Sequence, residues 1–171
     1  GIAHNVRVNI VSVEAEDLEH GSPEEALEFA DGILIPGGFG DRGVEGMINA
    51  AKYARENNVP LLGICLGMQM MVVEFARNVC KLHGAHSKEM NPATLHPVIH
   101  LMEEQENLKD LGGTMRLGAY PCKLIEGTRA ANAYGKTLIS ERHRHRYEFN
   151  NSYRERLEKA GLKISDRKSV V

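Results

Sequence analysis

The stretch that decides the fold lies before the midpoint of the chain and reads VPLLGICLGMQMMVVEFARNV from Val59 to Val79. Its first six residues, 59–64, are a short apolar run of the kind that forms a buried parallel strand. From Leu66 onward the sequence is apolar on nearly every face, which predicts a buried helix. Gln69 and Glu74 interrupt the run, so a membrane span is not expected. The stretch therefore predicts a strand, a sharp turn and a helix.

Strand and helix signals alternate on the N-terminal side of this stretch. Ser22 followed by Pro23 and two glutamates is the pattern of a helix start. Further apolar patterns predict a strand over Val6–Val13, a helix ending near Ala30, a buried strand over Gly32–Pro36 and a helix over 44–54. Alternation of this kind is typical of an α/β fold. We expect an open, mainly parallel sheet with helices on both faces.

The pattern changes after Gly84. The sequence predicts a short strand over Pro97–Leu101, glycine-rich extended chain over Leu111–Leu124, a charged strand over Glu141–Phe149, a helix from Tyr153 to Ala160 and a strand over Leu162–Ile164. These segments predict a small extended or antiparallel portion beside the parallel sheet. No repeat or linker divides the chain, so residues 1–171 are expected to form a single domain.

Composition excludes several classes of protein. The 171 residues are 42% hydrophobic and 26% charged, with a formal net charge of -2. This balance gives no reason to expect nucleic acid or an anionic membrane as a partner. Three cysteines at wide spacing match neither a disulfide framework nor a zinc site. No signal peptide pattern opens the sequence, so we expect a reducing, cytoplasmic location.

The candidate nucleophile is Cys65, at the centre of Gly63-Ile64-Cys65-Leu66-Gly67. A G-x-nucleophile-x-G turn between a strand and a helix is sharp, and it projects the central side chain at the edge of the sheet. The amides at the start of the helix favour the reactive thiolate, and the Leu66 amide would face a developing oxyanion. The alternative is a buried structural cysteine between two packing glycines. Cys80 and Cys122 lack this context and are interpreted as packing residues.

A second glycine-rich loop, Pro36-Gly37-Gly38-Phe39-Gly40, ends another predicted strand. Such a loop exposes backbone N–H groups that can bind an anion or an oxyanion. A phosphate cradle and a plain turn are the alternatives, although neither the P-loop spacing nor a complete G-x-G-x-x-G is present. Two such loops at the ends of parallel strands predict a site at one edge of the sheet.

The charged stretch near the C-terminus suggests two further sites, both of which the sequence disfavours. His143 and His145 alternate with arginines. Two histidines on a strand without an acidic or thiolate partner make a poor metal site, so none is predicted. The cluster lacks interleaved aromatic residues, which argues against nucleic acid. On composition alone, Arg146 would belong to a solvated charged face.

The two glycine loops, with Met68-Gln69 after the second, resemble those of class I glutamine amidotransferases. Three other stretches are similar to the glutaminase domain of the CTP synthase family. These are Arg42–Gly46, Leu111–Gly118 and Glu141–Glu148, and the last two are long and unusual in composition. The resemblance covers nearly the whole chain and implies a flavodoxin-like α/β amidotransferase fold.

The resemblance also implies roles for individual residues. Cys65 would be the nucleophile, and the Gly38 and Leu66 amides would form the oxyanion hole. Glutamine would be bound by Gly38, Leu66, Gly67, Met68, Gln69, Glu89 and Arg146, with Glu89 on its ammonium group and Arg146 on its carboxylate. Arg42, Gly43 and Glu45 match positions implicated in the response to GTP.

The same family implies the partners. The amidotransferase domain itself needs no cofactor, whereas the whole enzyme uses ATP and Mg²⁺, with GTP as activator. Its glutaminase domain supplies ammonia to a synthetase domain of the same polypeptide, which aminates UTP to CTP. The whole enzyme is expected to be a homo-oligomer.

The sequence departs from the family pattern at several points. The family's base lies in a His-Pro-Glu segment, whereas the one His-Pro here, His96-Pro97, is followed by valine. Residues 85–88 read Ala-His-Ser-Lys where Asn-Ser-Thr is expected, and residues 103–110 form a shorter segment than usual. We therefore expect a chain truncated at both ends. Residues 1–171 alone are predicted to have little glutaminase activity.

Two other functions remain open from the sequence. One is a different class I amidotransferase, such as one serving GMP or carbamoyl-phosphate synthesis. The other is a regulatory module that keeps the fold without the chemistry, which the missing His-Pro-Glu segment would favour.

Overall fold

A computed structural model describes residues 1–101 and 116–168. The helices are α1 (Asp17–His20), α2 (Pro23–Leu27), α3 (Val44–Glu56), α4 (Leu66–Asn78), α5 (Arg129–Tyr134) and α6 (Arg154–Lys159). The strands are β1 (Ile33–Ile35), β2 (Leu61–Gly63), β3 (His86–Ser87), β4 (Pro97–His100), β5 (Arg116–Leu124), β6 (Leu138–His145), β7 (Glu148–Phe149) and β8 (Asp166–Lys168). The Leu111–Gly118 motif falls largely outside the described residues.

The strands form three small sheets. β1 and β2 pair in parallel, with Ile35 opposite Gly63. β3 pairs in parallel with β4, and β4 pairs antiparallel with β7. β5 lies between β6 and β8 and is antiparallel to both. Antiparallel pairing is confined to strands that follow Gly84, as the change of pattern there indicates, although β3 and β4, which also follow Gly84, pair in parallel.

Helices α3 and α4 form the centre of the molecule. α3 contributes Val44 and Ile48 to a core shared with Met70 and Val73 of α4, both fully buried, and with Ile99 of β4. A second cluster joins the opposite side of α3 to α1, α2 and β1, and its buried members are Leu18, Leu27, Ile35, Ala50, Ala51 and Tyr53. The predicted helices at 44–54 and 66–79 are confirmed to within one or two residues.

Some sequence predictions are wrong in this part of the chain. Val6–Val13 is not a strand, and its apolar side chains are exposed because nothing in residues 1–101 and 116–168 pairs with it. The strand expected over Leu162–Ile164 begins instead at Asp166, where it can pair with Leu124. The strands at 32–36 and 59–64 are correct in place but not fully buried, since one face of the β1–β2 pair is open. Its exposed residues are Leu34, Leu62 and Ile64.

Some short elements were not predicted because they have too few residues to show a periodic pattern of apolar side chains. α1, β3 and α5 contain two to six residues each. The equally short α2 was predicted from its cap, and Ser22 accepts a hydrogen bond from the Glu25 amide at 3.3 Å as that pattern requires. Within the described parts of the chain, no helix is long and apolar enough to span a membrane.

A buried ion pair holds α3 against α4. The Glu74 side chain is 3% exposed, and its Oε1 accepts from Arg55 Nη2 at 2.8 Å and from Asn78 Nδ2 at 3.1 Å. Arg55 Nε donates to the same carboxylate at 3.1 and 3.2 Å. A carboxylate this deeply buried is stable only with its partner present, because the low-dielectric interior does not solvate a lone charge.

Replacing Arg55→Met should therefore lower the free energy of unfolding by about 3 kcal/mol, and Arg55→Met combined with Glu74→Leu should recover most of that loss. Chemical denaturation measures both. Lys159→Met is the control, because it breaks an exposed pair with Glu155 and should change stability by less than about 0.5 kcal/mol. Equal effects of Arg55→Met and Lys159→Met would contradict the importance of the buried pair.

Candidate active site

Cys65 sits in a strained turn between β2 and α4. Its backbone has φ 55° and ψ −108°, a conformation rare for residues other than glycine. The flanking glycines are required sterically. A Cβ on Gly63 would lie 2.6 Å from the Gly67 carbonyl carbon, and one on Gly67 would lie 2.2 Å from the Ile35 oxygen. The predicted nucleophile elbow is therefore present as a backbone feature, and it places the thiol at the N-terminus of a thirteen-residue helix.

The second glycine loop packs directly against this turn. A Cβ built on Gly37 would lie 3.2 Å from Cys65 Cβ and 3.8 Å from its Sγ. The Ile64 amide donates to the Ile35 carbonyl at 2.9 Å, which extends the β1–β2 ladder to the point where both loops begin. Both loops therefore leave neighbouring parallel strands at one edge, as predicted. Gly38 lies beside Leu66, with 3.4 Å between its ideal Cβ position and Leu66 Cδ2.

Gln69 connects the elbow to a distant part of the chain. It is 5% exposed, and its amide N–H donates to the Cys65 carbonyl at 3.1 Å. Its side-chain Nε2 donates to the Tyr147 carbonyl at 2.9 Å. Tyr147 follows Arg146, so this one side chain fixes the backbone next to the candidate carboxylate-binding arginine.

Sheet topology brings Glu89 and Arg146 to one edge. Glu89 follows the C-terminal end of β3 by two residues, and β3 runs parallel to β4. Arg146 precedes β7 by two residues, and the first residue of β7, Glu148, pairs with His100 at the C-terminal end of β4. Both therefore lie at the C-terminal edge of β4, the edge to which Gln69 ties the start of α4. Glu89 is exposed there and free to meet a ligand from solvent.

Comparison with known proteins identifies the family. The family model described as glutamine amidotransferase class-I matches residues 1–170. The chain belongs to this family. Its α/β architecture is the class I amidotransferase fold.

Relatives of this amidotransferase chain are considerably longer than the chain itself. It is 61% identical over 165 residues to the CTP synthase of Moorella thermoacetica, covering 96% of this chain and 30% of that protein. It is 60% identical to the CTP synthase of Caldanaerobacter subterraneus subsp. tengcongensis, again over 96% of this chain and 31% of that protein. The chain thus spans about a third of the length of these relatives.

A solved structure is similar to most of the chain. The glutaminase domain of Trypanosoma brucei CTPS with bound acivicin superposes with a TM-score of 0.89 at 44% identity. The match covers 96% of this chain and 64% of that one. This likeness supports the class I amidotransferase fold of the chain.

The three residues that the family resemblance links to the response to GTP are at the start of α3 or just before it: Arg42, Gly43 and Glu45. Gly43 caps α3 with φ 72°. Arg42 is largely exposed and forms an ion pair with Glu16. A backbone hydrogen bond to the Glu16 carboxylate, and then its hydrogen bond with Arg42, lower the pKa of Glu16. Glu45 is bound by Arg77 Nη1 at 2.8 and 2.9 Å. The three candidates thus join the start of α3 to the segment before α1 and to α4.

The two other cysteines pack against apolar clusters, as the sequence predicts. Burial raises the pKa of the Cys80 thiol, which packs against the main core. Cys122 packs beside Leu124 in a small cluster. His143 and His145 stack edge to face at 5.8 Å. In residues 1–101 and 116–168, no three His, Cys, Asp or Glu side chains are grouped to hold a metal ion.

Two features of the site were missed from sequence. The Tyr147 carbonyl holds Gln69 through a backbone atom, which carries no sequence signal. Arg77 binds Glu45 and also donates from Nε to the Ala85 carbonyl at 2.7 Å, linking α3, α4 and the chain before β3. Its position in the last turn of α4 could have suggested a capping role but not these partners.

Gly67→Ala should destabilise the protein by about 3 kcal/mol or more, because the added Cβ overlaps the Ile35 carbonyl oxygen and the elbow cannot move away without breaking the β1–β2 ladder. The free energy of unfolding from urea denaturation measures the effect. Gly84→Ala is the matched control, since Gly84 has φ +74° but open space around it, and should cost only about 1 kcal/mol. Similar losses for the two variants would show that steric overlap at the elbow is unimportant.

Proposed function

We propose that this chain is the glutamine-hydrolysing domain of a CTP synthase, with Cys65 as the nucleophile. The observation that carries the proposal is the strained Cys65 turn with the Gly37–Gly38 loop packed against its thiol. A φ of 55° at a non-glycine residue is costly, and such strain is found where a reactive side chain must be held in place. The similarity to proteins named CTP synthase supports the choice of parent enzyme.

The chemistry follows from the elbow. The Cys65 thiolate attacks the side-chain amide carbon of glutamine, and the carbonyl oxygen becomes an oxyanion bound by the Gly38 and Leu66 amides. The Leu66 amide is available because the first amides of a helix have no acceptor within it. Collapse of the intermediate breaks the C–N bond and leaves a thioester; the departing nitrogen takes up a proton, which the family's histidine would supply, and leaves as ammonia. Water then attacks the thioester, releasing glutamate and restoring the thiolate.

The two groups that would bind the charged ends of glutamine flank the β3–β4–β7 sheet. Glu89, exposed at the edge of that sheet, would bind the ammonium group. Arg146 would bind the carboxylate through its planar pair of N–H donors. Gln69, Gly67 and Met68 of the first turn of α4 would line the pocket between them. Gln69 joins α4 to Tyr147, the residue after Arg146, and this bond supports a role for the arginine near the nucleophile.

The whole enzyme would use the ammonia to aminate UTP in a synthetase domain of the same polypeptide. ATP, Mg²⁺ and the activator GTP belong to that larger, oligomeric and cytoplasmic enzyme. A reducing cytoplasm suits a mechanism that needs a thiol, and none of the three cysteines, all among the described residues, forms a disulfide.

Cys65→Ala in the full-length enzyme should reduce glutamine-dependent CTP formation by about three orders of magnitude or more, because the covalent route is lost. Ammonia-dependent CTP formation should persist, since it bypasses the amidotransferase site. Both rates can be followed by CTP absorbance. Cys80→Ala is the matched control and should leave both rates unchanged. Retention of glutamine-dependent activity in Cys65→Ala would refute the proposal.

Residues 1–171 alone should release ammonia from glutamine at a small fraction of the full-length rate. The family's histidine base lies in a His-Pro-Glu segment that these residues lack, and general base catalysis typically contributes about 10²–10⁴-fold. Glutamate dehydrogenase coupling measures the ammonia released. A rate near that of the full-length enzyme would show that another group in this chain serves as the base.

A further inference from the structure

His86 lies near the start of α3, and none of the roles above involves it. It opens β3 and is half-buried against a cleft of about 320 Å³ at the start of α3. The cleft is lined by Glu19, Asp41, Val44, Glu45, His86, Met90 and Asn91. The sequence departs from its family pattern here, since an asparagine was expected where His86 stands.

One ring nitrogen of His86 supports the turn that carries Glu89. The Ser87 amide donates to His86 Nδ1 at 2.9 Å. Ser87 is fully buried, and it holds the turn in place: its Oγ accepts from the Glu89 amide at 3.3 Å and its carbonyl accepts from the Asn91 amide at 2.9 Å. A chain of hydrogen bonds therefore runs from the imidazole through Ser87 to Glu89.

The other ring nitrogen faces α3. His86 Nε2 lies 3.8 Å from Glu45 Oε1, and Arg77 holds that carboxylate in place with two bonds from Nη1. Since Nδ1 accepts a hydrogen bond, the proton of the neutral ring is on Nε2, directed toward Glu45. The His86 ring therefore lies between two groups with opposite preferences. The Ser87 amide needs an unprotonated Nδ1, whereas the Glu45 carboxylate favours the protonated ring.

We infer that His86 is a positioning residue that sets the Glu89 turn for glutamine binding while its ring is neutral and releases that turn when the ring is protonated. Protonation puts a hydrogen on Nδ1, which can then no longer accept from Ser87. The inference rests on the proposed role of Glu89 toward the ammonium group of glutamine.

The surroundings of His86 favour the neutral ring near pH 7. Burial, and then the charge of Arg77 on α4, lower the pKa of His86, while Glu45 on α3 acts in the opposite direction. Asp41 before α3 and Glu19 on α1 line the same cleft. His96, the residue before β4, accepts a hydrogen bond from the His86 amide through its carbonyl oxygen. The ring of His96 lies edge to face with Tyr153.

The lowered pKa of His86 determines how its contribution changes with pH. Because the folded pKa of His86 lies below its unfolded value of about 6.5, its contribution is fully present above that pH. The contribution is lost as pH falls through the folded value. Free glutamine remains a zwitterion over the tested range of about pH 5.5–7.5, so a loss of affinity there would not come from a change of charge on the ligand.

The test is calorimetric titration of L-glutamine into full-length Cys65→Ala enzyme at pH 5.5 and 7.5, which removes turnover and the nucleophile's own ionisation. The dissociation constant should rise about 3–10-fold at the lower pH, as expected for loss of one hydrogen bond. His86→Asn in the same background should show little change with pH, because Asn Oδ1 can stand where Nδ1 does and does not titrate. His86→Leu, which has no acceptor, should bind weakly at both pH values.

A variant away from the imidazole keeps the test decisive if substitutions at His86 unfold the protein. Glu45→Gln removes the group that raises the pKa of His86, so the loss of affinity should move to lower pH. The inference is overturned if His86→Asn or Glu45→Gln leaves the pH dependence as it was, or if His86→Leu binds as well as the parent. If folded Cys65→Ala enzyme binds no glutamine at any pH, the proposed function itself fails.

Discussion

The site depends on one backbone constraint, the left-handed conformation of Cys65 between β2 and α4. That conformation is unfavourable for any residue with a side chain, and it persists because its neighbours leave it no alternative. Gly63 and Gly67 remove every Cβ from the crossing point, and the Ile64–Ile35 hydrogen bond fixes the strand that enters it. The thiol is thereby positioned by strand pairing and helix packing, with no need for a side-chain partner to orient it.

Helix α4 transmits this constraint to the rest of the molecule through two buried polar side chains. Gln69, one turn from the nucleophile, binds the Tyr147 carbonyl and so sets the antiparallel part of the fold against the elbow. Glu74, farther along, binds Arg55 and sets α3. Both residues interrupt an otherwise apolar helix, and burying them is favourable only because each has its partner. The same helix therefore supports the site and the core.

Features encoded locally could be predicted from sequence, and features that need a distant partner could not. The elbow, the helices α3 and α4 and the Ser22 cap follow from residues within a few positions of one another. Val6–Val13 has a strand's composition, yet a strand exists only where another pairs with it. The Gln69–Tyr147 bond joins residues 78 apart through a carbonyl that every residue has. Leu34 and Leu62 were expected inside because an apolar run does not tell which face is covered.

The nucleophile and the groups proposed to hold glutamine are built on different sheets, and this separation has a chemical consequence. Cys65 belongs to the β1–β2 pair, whereas Glu89 and Arg146 flank the β3–β4–β7 sheet. The two parts meet through α4. Near the start of α4, Gln69 binds the Tyr147 carbonyl. Near its end, Arg77 binds both Glu45 and the Ala85 carbonyl. A change at the start of α3 can therefore alter how firmly the Glu89 turn is held without moving the strained Cys65 backbone. Binding and chemistry can therefore respond separately to charge in that cleft, because His86, which lines it, accepts a hydrogen bond from the Ser87 amide in the segment that leads to Glu89.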